Sequence, residues 1–451
     1  MIRQPETTTQ TRIRAWSMPL PKTSLTAFLE IYAGEPRFYF EKNQDELSFA
    51  AAGIAAQISG QGHGRFDAVR RQADDLFEHI SPLAGSAPEA PAPMLFGGFS
   101  FFPDFTPQAD WESFPPASFT LPKVVLARRQ GNCWLSFYQT QQPDQSDEDI
   151  RAGLQEEGRI LRENLQTAAQ SGEVSRHTAN DISYPRSKDS WERSVSSAVE
   201  HIRQSALEKI VLSRTCQVSS GRPLDPVRSL ARLAESYPTS FRFLVELAPQ
   251  HAFFGASPER LAAVGRRRLE LSALAGSAPR DTHSQTDQAL GAALLEDPKN
   301  LHEHAFVVNY IRAQLTPLLD SIEVDAQPSL RLLPNIQHLN TEISGQLASE
   351  CTILDVVEAM HPTPAVGGFP KEEAASLIPQ LENYQRGWYA SPLGWFDSQG
   401  DGEFIVAIRS ALLNKNKATL FSGAGIVENS DPSMEWEETQ IKFLPMLDAI
   451  G

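Results

Sequence analysis

Cysteine is scarce in this sequence. Cys133, Cys216 and Cys351 are far apart, form no CxxC pair and have no histidine at metal-ligand spacing. That excludes a disulfide-built domain and a thiolate zinc site, and leaves reduced, buried thiols of a cytoplasmic protein. None lies in a nucleophile turn such as GxCxG, so no built-in glutaminase triad is expected. Long apolar runs are missing too. No stretch approaches the roughly 18 apolar residues of a membrane-spanning helix, and the opening MIRQPETTTQTRIRAW has no apolar signal-peptide core. Neither secretion nor a membrane partner is expected. Positive charge is in deficit, 40 Lys and Arg against 56 Asp and Glu, for a formal net charge of −16. Nucleic acid is therefore an unlikely class of partner, and an anionic ligand would need Lys, Arg or a metal placed locally. Repeats of solenoid period are absent.

What is present has the balance of a soluble globular chain, long enough for one large domain or two to three ordinary ones. Residues 1–186 are the less legible part and suit a scaffold. Phe96–Phe102 predicts a strand whose Gly97-Gly98 pair permits close backbone approach. Residues 123–127 and 133–138 predict a hairpin around Gly131-Asn132, and Asp147–Leu165 a helix. The five prolines of Pro103–Pro122 predict a surface loop, and 166–183 a polar connector. From Ser187 the pattern sharpens. Ser190–Ser205 is an amphipathic helix with Trp191, Val195, Ala198 and Ile202 inward. Strands are predicted at 209–216, 241–247, 252–256, 268–273, 403–412 and 418–421, and helices at 225–236, 285–297, 300–319, 352–360 and 371–381. Short connections favour antiparallel neighbours, so the expected class is α+β: large antiparallel sheets packed in layers and covered by helices. Residues 1–186 and 187–451 are expected to be two parts of one domain, the second catalytic.

Several polar residues sit where apolar ones are expected. Lys209 opens the strand Lys209-Ile-Val-Leu-Ser-Arg-Thr-Cys216; it can snorkel outward, or face a pocket where desolvation makes it a usable base. Glu259 follows the turn Gly255-Ala-Ser-Pro258, a placement open to a general acid and equally to a surface carboxylate. Glu303 lies on one helical face with Phe306, Val307 and Tyr310, where a carboxylate needs an arginine or a metal as partner. His338, in a strand-like stretch, fits a hydrogen-bonded core histidine or a ligand neighbour. Arg409 is a charge in the apolar run Phe404–Ser410, most simply explained by a carboxylate partner. Near the end, Gly423-Ala-Gly425 predicts a tight turn whose amides face a ligand. Asp431-Pro432 then predicts a helix start. On that helix Glu435, Glu438 and Lys442 fall at i, i+3 and i+7, one stripe that is either a solvated face or a cation site beside an anion.

These segments, in this order, resemble the chorismate-utilising enzymes: isochorismate, anthranilate, aminodeoxychorismate and salicylate synthases. The resemblance rests on Lys209–Arg214, Gly255–Arg260, Leu274-Ala-Gly-Ser277, Glu303-His304, His338–Gly345, His361-Pro-Thr-Pro364, Arg386-Gly-Trp388, Val406–Ser410 and Ser422–Lys442. It covers about 187–451; residues 1–186 match loosely, through Gly97-Gly98. Within the family the nearest likeness is to isochorismate synthases of the menaquinone or siderophore type. It implies a lysine base at Lys209, an acid at Glu259, and Mg²⁺ on Glu303 and Glu438 with help from Glu435. Arg409, Lys442 and the Gly276 and Gly425 amides would bind the carboxylates of chorismate, beside Ser277, His338 and Ala365. Anthranilate synthases look to carry glutamine at the place of Lys209, and aminodeoxychorismate synthases a lysine at that of Ala275. Salicylate synthases, the nearest alternative, look to carry threonine at that of Ala365. They also look to lack the run Trp388-Tyr-Ala-Ser-Pro392. Asn300 replaces an acidic residue of some relatives. A non-catalytic binder of an acidic metabolite is the alternative of another class. A monomer is expected.

Overall fold

Four strands, Met94–Phe99, Ala117–Leu121, Pro392–Asp397 and Gly402–Val406, are buried along their whole length. Such strands are covered on both faces, which requires stacked layers. The computed structural model describes residues 12–42, 46–168, 181–332 and 336–451. It is an α+β structure with one sheet of 13 strands and one of 10. The described strands pair antiparallel throughout, except Ile13–Leu20 with Ile80–Pro82. No helix among the described residues is long and apolar enough to cross a membrane.

Both sheets draw strands from both ends of the sequence. In the larger one Phe241–Ala248 pairs with Arg37–Glu41, and in the smaller one Pro392–Asp397 pairs with Met94–Phe99. Between the layers, Phe96 of the smaller sheet packs against Phe38, Phe40 and Phe49 of the larger, with ring centroids 6.1, 5.9 and 5.2 Å away. These contacts are edge-on, as ring quadrupoles favour. The backbone approach expected at Gly97 is present: a β-carbon there would lie 1.9 Å from the Ser118 carbonyl oxygen.

Five expectations need correction. The single strand 403–412 is two, Gly402–Val406 in the smaller sheet and Ser410–Asn414 in the larger. The chain turns between them at Arg409, whose φ of 51° no strand residue adopts. Gly423-Ala-Gly425 is no turn: it lies inside the strand Lys417–Ile426, with Ser213 opposite Gly423 and Val211 opposite Gly425. Pro103–Pro122 is only partly a loop. It buries Phe105, Trp111 and Phe114, and its last residues are the strand Ala117–Leu121. The connector 166–183 begins inside a helix that runs to Ala168 and ends in the short strand Asp181–Ser183; the rest lies outside the described residues. Of the three thiols, Cys351 is only half-buried.

A buried ion pair holds the region around Lys209. Arg386 Nε and Nη2 donate to the Glu382 carboxylate at 2.9 and 2.6 Å. The same guanidinium donates to the carbonyls of Val211 and Val366, each at 2.8 Å. Glu382 Oε1 accepts from the Ser213 amide at 2.6 Å and its hydroxyl at 2.7 Å. One pair thus ties the strand Lys209–Ser219 to the segment preceding Gly367. Removing one partner of such a pair strands a buried charge, at about 3–5 kcal/mol. Arg386→Met should lower the denaturant midpoint accordingly, and Arg386→Met/Glu382→Leu should recover part of the loss. A single variant within about 1 kcal/mol of the parent, well under that range, would contradict this.

Candidate active site

Two chain crossings between the sheets build one wall. The strand His251–Ser257 belongs to the larger sheet and Arg260–Gly265 to the smaller, so the chain changes layers at Pro258-Glu259. It returns between Val406 and Ser410. The crossings run side by side: Val406 N–H donates to the Glu259 carbonyl at 3.1 Å and Ala256 N–H to that of Arg409 at 3.0 Å. Ser257 Oγ donates to the Val406 carbonyl at 2.6 Å. Glu259 and Arg409 therefore sit on two adjoining crossings whose backbones are clamped to each other by hydrogen bonds.

Lys209 comes from the start of its strand, opposite Phe369 of the two-residue strand Gly368–Phe369. Gly425 makes room for it: a β-carbon there would meet Lys209 Cε at 3.0 Å. Lacking a side chain, this glycine leaves space for that of the lysine. Among the described residues Lys209 Nζ makes no hydrogen bond and no ion pair. Burial, then the charge of Lys442, lowers its pKa, while Glu303, Glu259 and Glu438 pull the other way. Glu259 is pushed up to about 7 by burial, against the attraction of Lys209 and Lys442. Lys209, Glu259, Glu303, Glu438 and Lys442 thus share one electrostatic environment.

The helix Pro432–Ile450 forms as expected, with the Asp431 carboxylate capping the amides of Ser433 and Met434 at 2.9 Å. Lys442 Nζ pairs with Glu438 and donates to the Gly423 carbonyl at 2.9 Å. Burial lowers the pKa of Lys442 and, with help from Glu438, raises that of Glu435. Arg409 Nη1 reaches the Lys442 carbonyl at 3.2 Å, and among the described residues Arg409 forms no ion pair. Burial lowers its pKa. A desolvated guanidinium without a carboxylate is poised to accept one from a ligand.

A third wall is a β-bulge. The strand Arg268–Pro279 slips register against Ile336–Leu347 between Ala275 and Ser277, with Gly276 at φ 74°. Ser277 Oγ and His338 Nδ1 are 2.7 Å apart. Burial lowers the pKa of His338 against a hydrogen bond to the Gly276 backbone, and the charges of Arg331, Lys442 and Arg409 act in the same direction as burial. Glu303 stays exposed on the helix Pro298–Leu315, within electrostatic reach of Lys209. Ala365 is exposed, just ahead of Gly367 and Gly368.

Tyr389 was not expected among the lining residues. It is buried, stacks on Phe421 at 5.0 Å, and its hydroxyl lies 3.2 Å from where a Gly423 β-carbon would be. Its only sequence signal is its place in the run Trp388–Pro392. For a metal, the carboxylates of Glu303, Glu435 and Glu438 are the hard oxygen donors on offer. Among the described residues no three His, Cys, Asp or Glu side chains stand close enough to enclose an ion unaided. Any cation held by these carboxylates would have to complete its shell with water and ligand oxygens, a coordination that Mg²⁺ accepts.

A family model for chorismate binding enzymes matches residues 1–451. An isochorismate synthase of Bacillus subtilis is 34% identical over 425 residues, 93% of this chain and 88% of that one. A salicylate biosynthesis isochorismate synthase of Pseudomonas aeruginosa is 36% identical over 420 residues, 92% of this chain and 85% of the other. The solved structure of the menaquinone-specific isochorismate synthase of Escherichia coli shares the fold, with a TM-score of 0.79 at 23% identity over 98% of this chain and 95% of that one. With the match running the whole length, this chain belongs to the chorismate-binding enzyme family.

Proposed function

We propose that the chain is an isochorismate synthase, a cytoplasmic monomer that interconverts chorismate and isochorismate with Mg²⁺. The observation that carries this reading is the opposed tuning of two groups in one pocket: burial lowers the pKa of Lys209 and raises that of Glu259 to about 7. Each is driven toward its neutral form. A neutral lysine can take a proton from water, and a neutral carboxylic acid can give one to a departing hydroxyl. Water then adds at C2 as the C4 hydroxyl leaves. In the reverse direction the two residues exchange roles. Arg409, Lys442 and the backbone amides of Gly276 and Gly425 receive the substrate carboxylates, with Ser277, His338 and Ala365 around the ring. Glu303, Glu435 and Glu438 would hold Mg²⁺, which offsets the negative charge of the bound carboxylate. The free thiols of Cys133, Cys216 and Cys351 suit a reducing compartment.

Incubation with chorismate and Mg²⁺, followed by product separation, tests the reading. Isochorismate in equilibrium with chorismate is expected; salicylate with pyruvate as the main products would overturn it in favour of a salicylate synthase. Chorismate binding without turnover would make the chain a binder only.

Lys209→Ala and Glu259→Gln should each cut turnover roughly 10²–10⁴-fold in both directions, while chorismate still binds. A Lys209→Ala enzyme above about a tenth of parental turnover would remove the lysine from the chemistry. Glu259 also leaves a mark on stability. Its folded pKa lies above the ordinary 4.5, so the folded state holds more protons than the unfolded one between 4.5 and about 7, and stability falls as pH rises through that window. Glu259→Gln should therefore melt above the parent at alkaline pH, with the gap closing toward pH 4.5. A melting difference independent of pH would mean that Glu259 is not held protonated.

Glu438→Gln and Glu303→Gln keep size and remove charge. Both should raise the Mg²⁺ midpoint, read by titration, with melting temperature little changed. A parental midpoint in either variant would remove that residue from the metal site.

A further inference from the structure

The helix Pro298–Leu315 is held thinly: its buried residues are His304, Ile311 and Leu315. His304 is the polar one, directly after Glu303. Its Nδ1 lies 3.2 Å from the Ala275 carbonyl and its Nε2 2.7 Å from Thr341 Oγ1. A carbonyl only accepts, so Nδ1 carries the proton and Nε2 accepts from the threonine hydroxyl. Ala275 is the residue before the Gly276 bulge, where the strand slips register and φ turns positive. From the other side of the bulge, His338 holds Ser277. The bulge is thus clamped at both ends by imidazoles from two different elements.

We infer that His304 is a positioning residue for substrate binding: its Nδ1–H bond to the Ala275 carbonyl fixes the peptide that aims the Gly276 amide into the pocket. This rests on the reading above, in which that amide receives a chorismate carboxylate. A bulge with a glycine at positive φ has several backbone orientations within easy reach. A bond to the preceding carbonyl selects one of them. Ile311 and Leu315, farther along the helix, supply apolar docking but no hydrogen bond to Ala275.

Two conservative variants separate this role from general packing. In His304→Asn the amide nitrogen takes the place of Nδ1 and keeps the bond to Ala275. In His304→Gln the terminal group reaches toward Thr341 and that bond is lost. His304→Gln should raise the KM for chorismate about tenfold, the order expected for one buried hydrogen bond, while kcat changes by much less. His304→Asn should stay close to the parent in KM. Thr341→Val, which removes only the other bond, should leave KM unchanged whatever it does to the melting temperature. Calorimetric chorismate affinity in a Lys209→Ala background should follow the same order without turnover. Equal KM values for the Asn and Gln variants, or a parental KM in His304→Gln, would overturn the inference. Nitrogen-15 NMR of the parent gives a readout independent of activity: His304 should be the Nδ1–H tautomer, and an Nε2–H ring would overturn it. Failure of the parent to bind or convert chorismate would sink the functional reading instead, leaving the tautomer result standing.

Discussion

The buried pair Glu382–Arg386 is the constraint on which the rest of the pocket depends. Its guanidinium reaches Val211 and Val366 and its carboxylate reaches Ser213, so two segments distant in sequence are fixed around one charge pair. Val211 lies two residues from Lys209, and Val366 immediately precedes Gly367, whose carbonyl accepts the Val211 amide. Without that anchoring, the lysine would stand at the end of an edge with little to hold its direction. A buried ion pair adds little net stability over a well-packed apolar substitute. What it supplies here is geometry, because its donors and acceptors are each already spoken for.

Around this anchor the pocket is assembled from irregularities: two crossings between sheets, a β-bulge and the first turns of the helix Pro432–Ile450. Each puts a polar group where regular structure would have buried or exposed it. The crossings hold Glu259 and Arg409 in backbone whose hydrogen bonds are mutual, so the carboxyl and guanidinium are placed before any ligand arrives. Lys209, Lys442 and Arg409 crowd like charge together under partial desolvation, and Glu259 is pushed toward neutrality beside them. Such crowding costs free energy, which a bound anion would relieve.

Much of this was legible in the sequence, for physical reasons that differ by residue. Asp431-Pro432 announces its helix because capping chemistry is local, and the stripe of Glu435, Glu438 and Lys442 follows from helical period alone. Lys209 and Arg409 stand out because charge in an apolar run is costly. The break at Arg409 was not legible. Phe404–Ser410 reads as one apolar strand, and only the presence of a second sheet gives the chain reason to turn there. Gly425 was misread because a glycine that opens space for a neighbour carries the same local signal as a glycine in a turn. The aromatic plug of Phe105, Trp111 and Phe114 was masked by the prolines around it. Arg386 stood out only through the resemblance, in Arg386-Gly-Trp388, and Glu382 not at all, since beyond each other their partners are groups far away in sequence, at Val211, Ser213 and Val366.

The interleaving of the two sheets has a consequence for how the protein is made. Arg37–Glu41 and Met94–Phe99 each pair on one edge with a nearby early strand, but their second edges find partners only after Phe241–Ala248 and Pro392–Asp397 have been synthesised. Contacts of such sequence separation slow folding, since loop-closure entropy is lost before the pairing rewards it. The early strands must wait at the ribosome with unsatisfied edges, open to wrong partners and to chaperones. Glu435, Glu438 and Lys442 emerge later still, so the pocket they help to line cannot close until their helix too has been made.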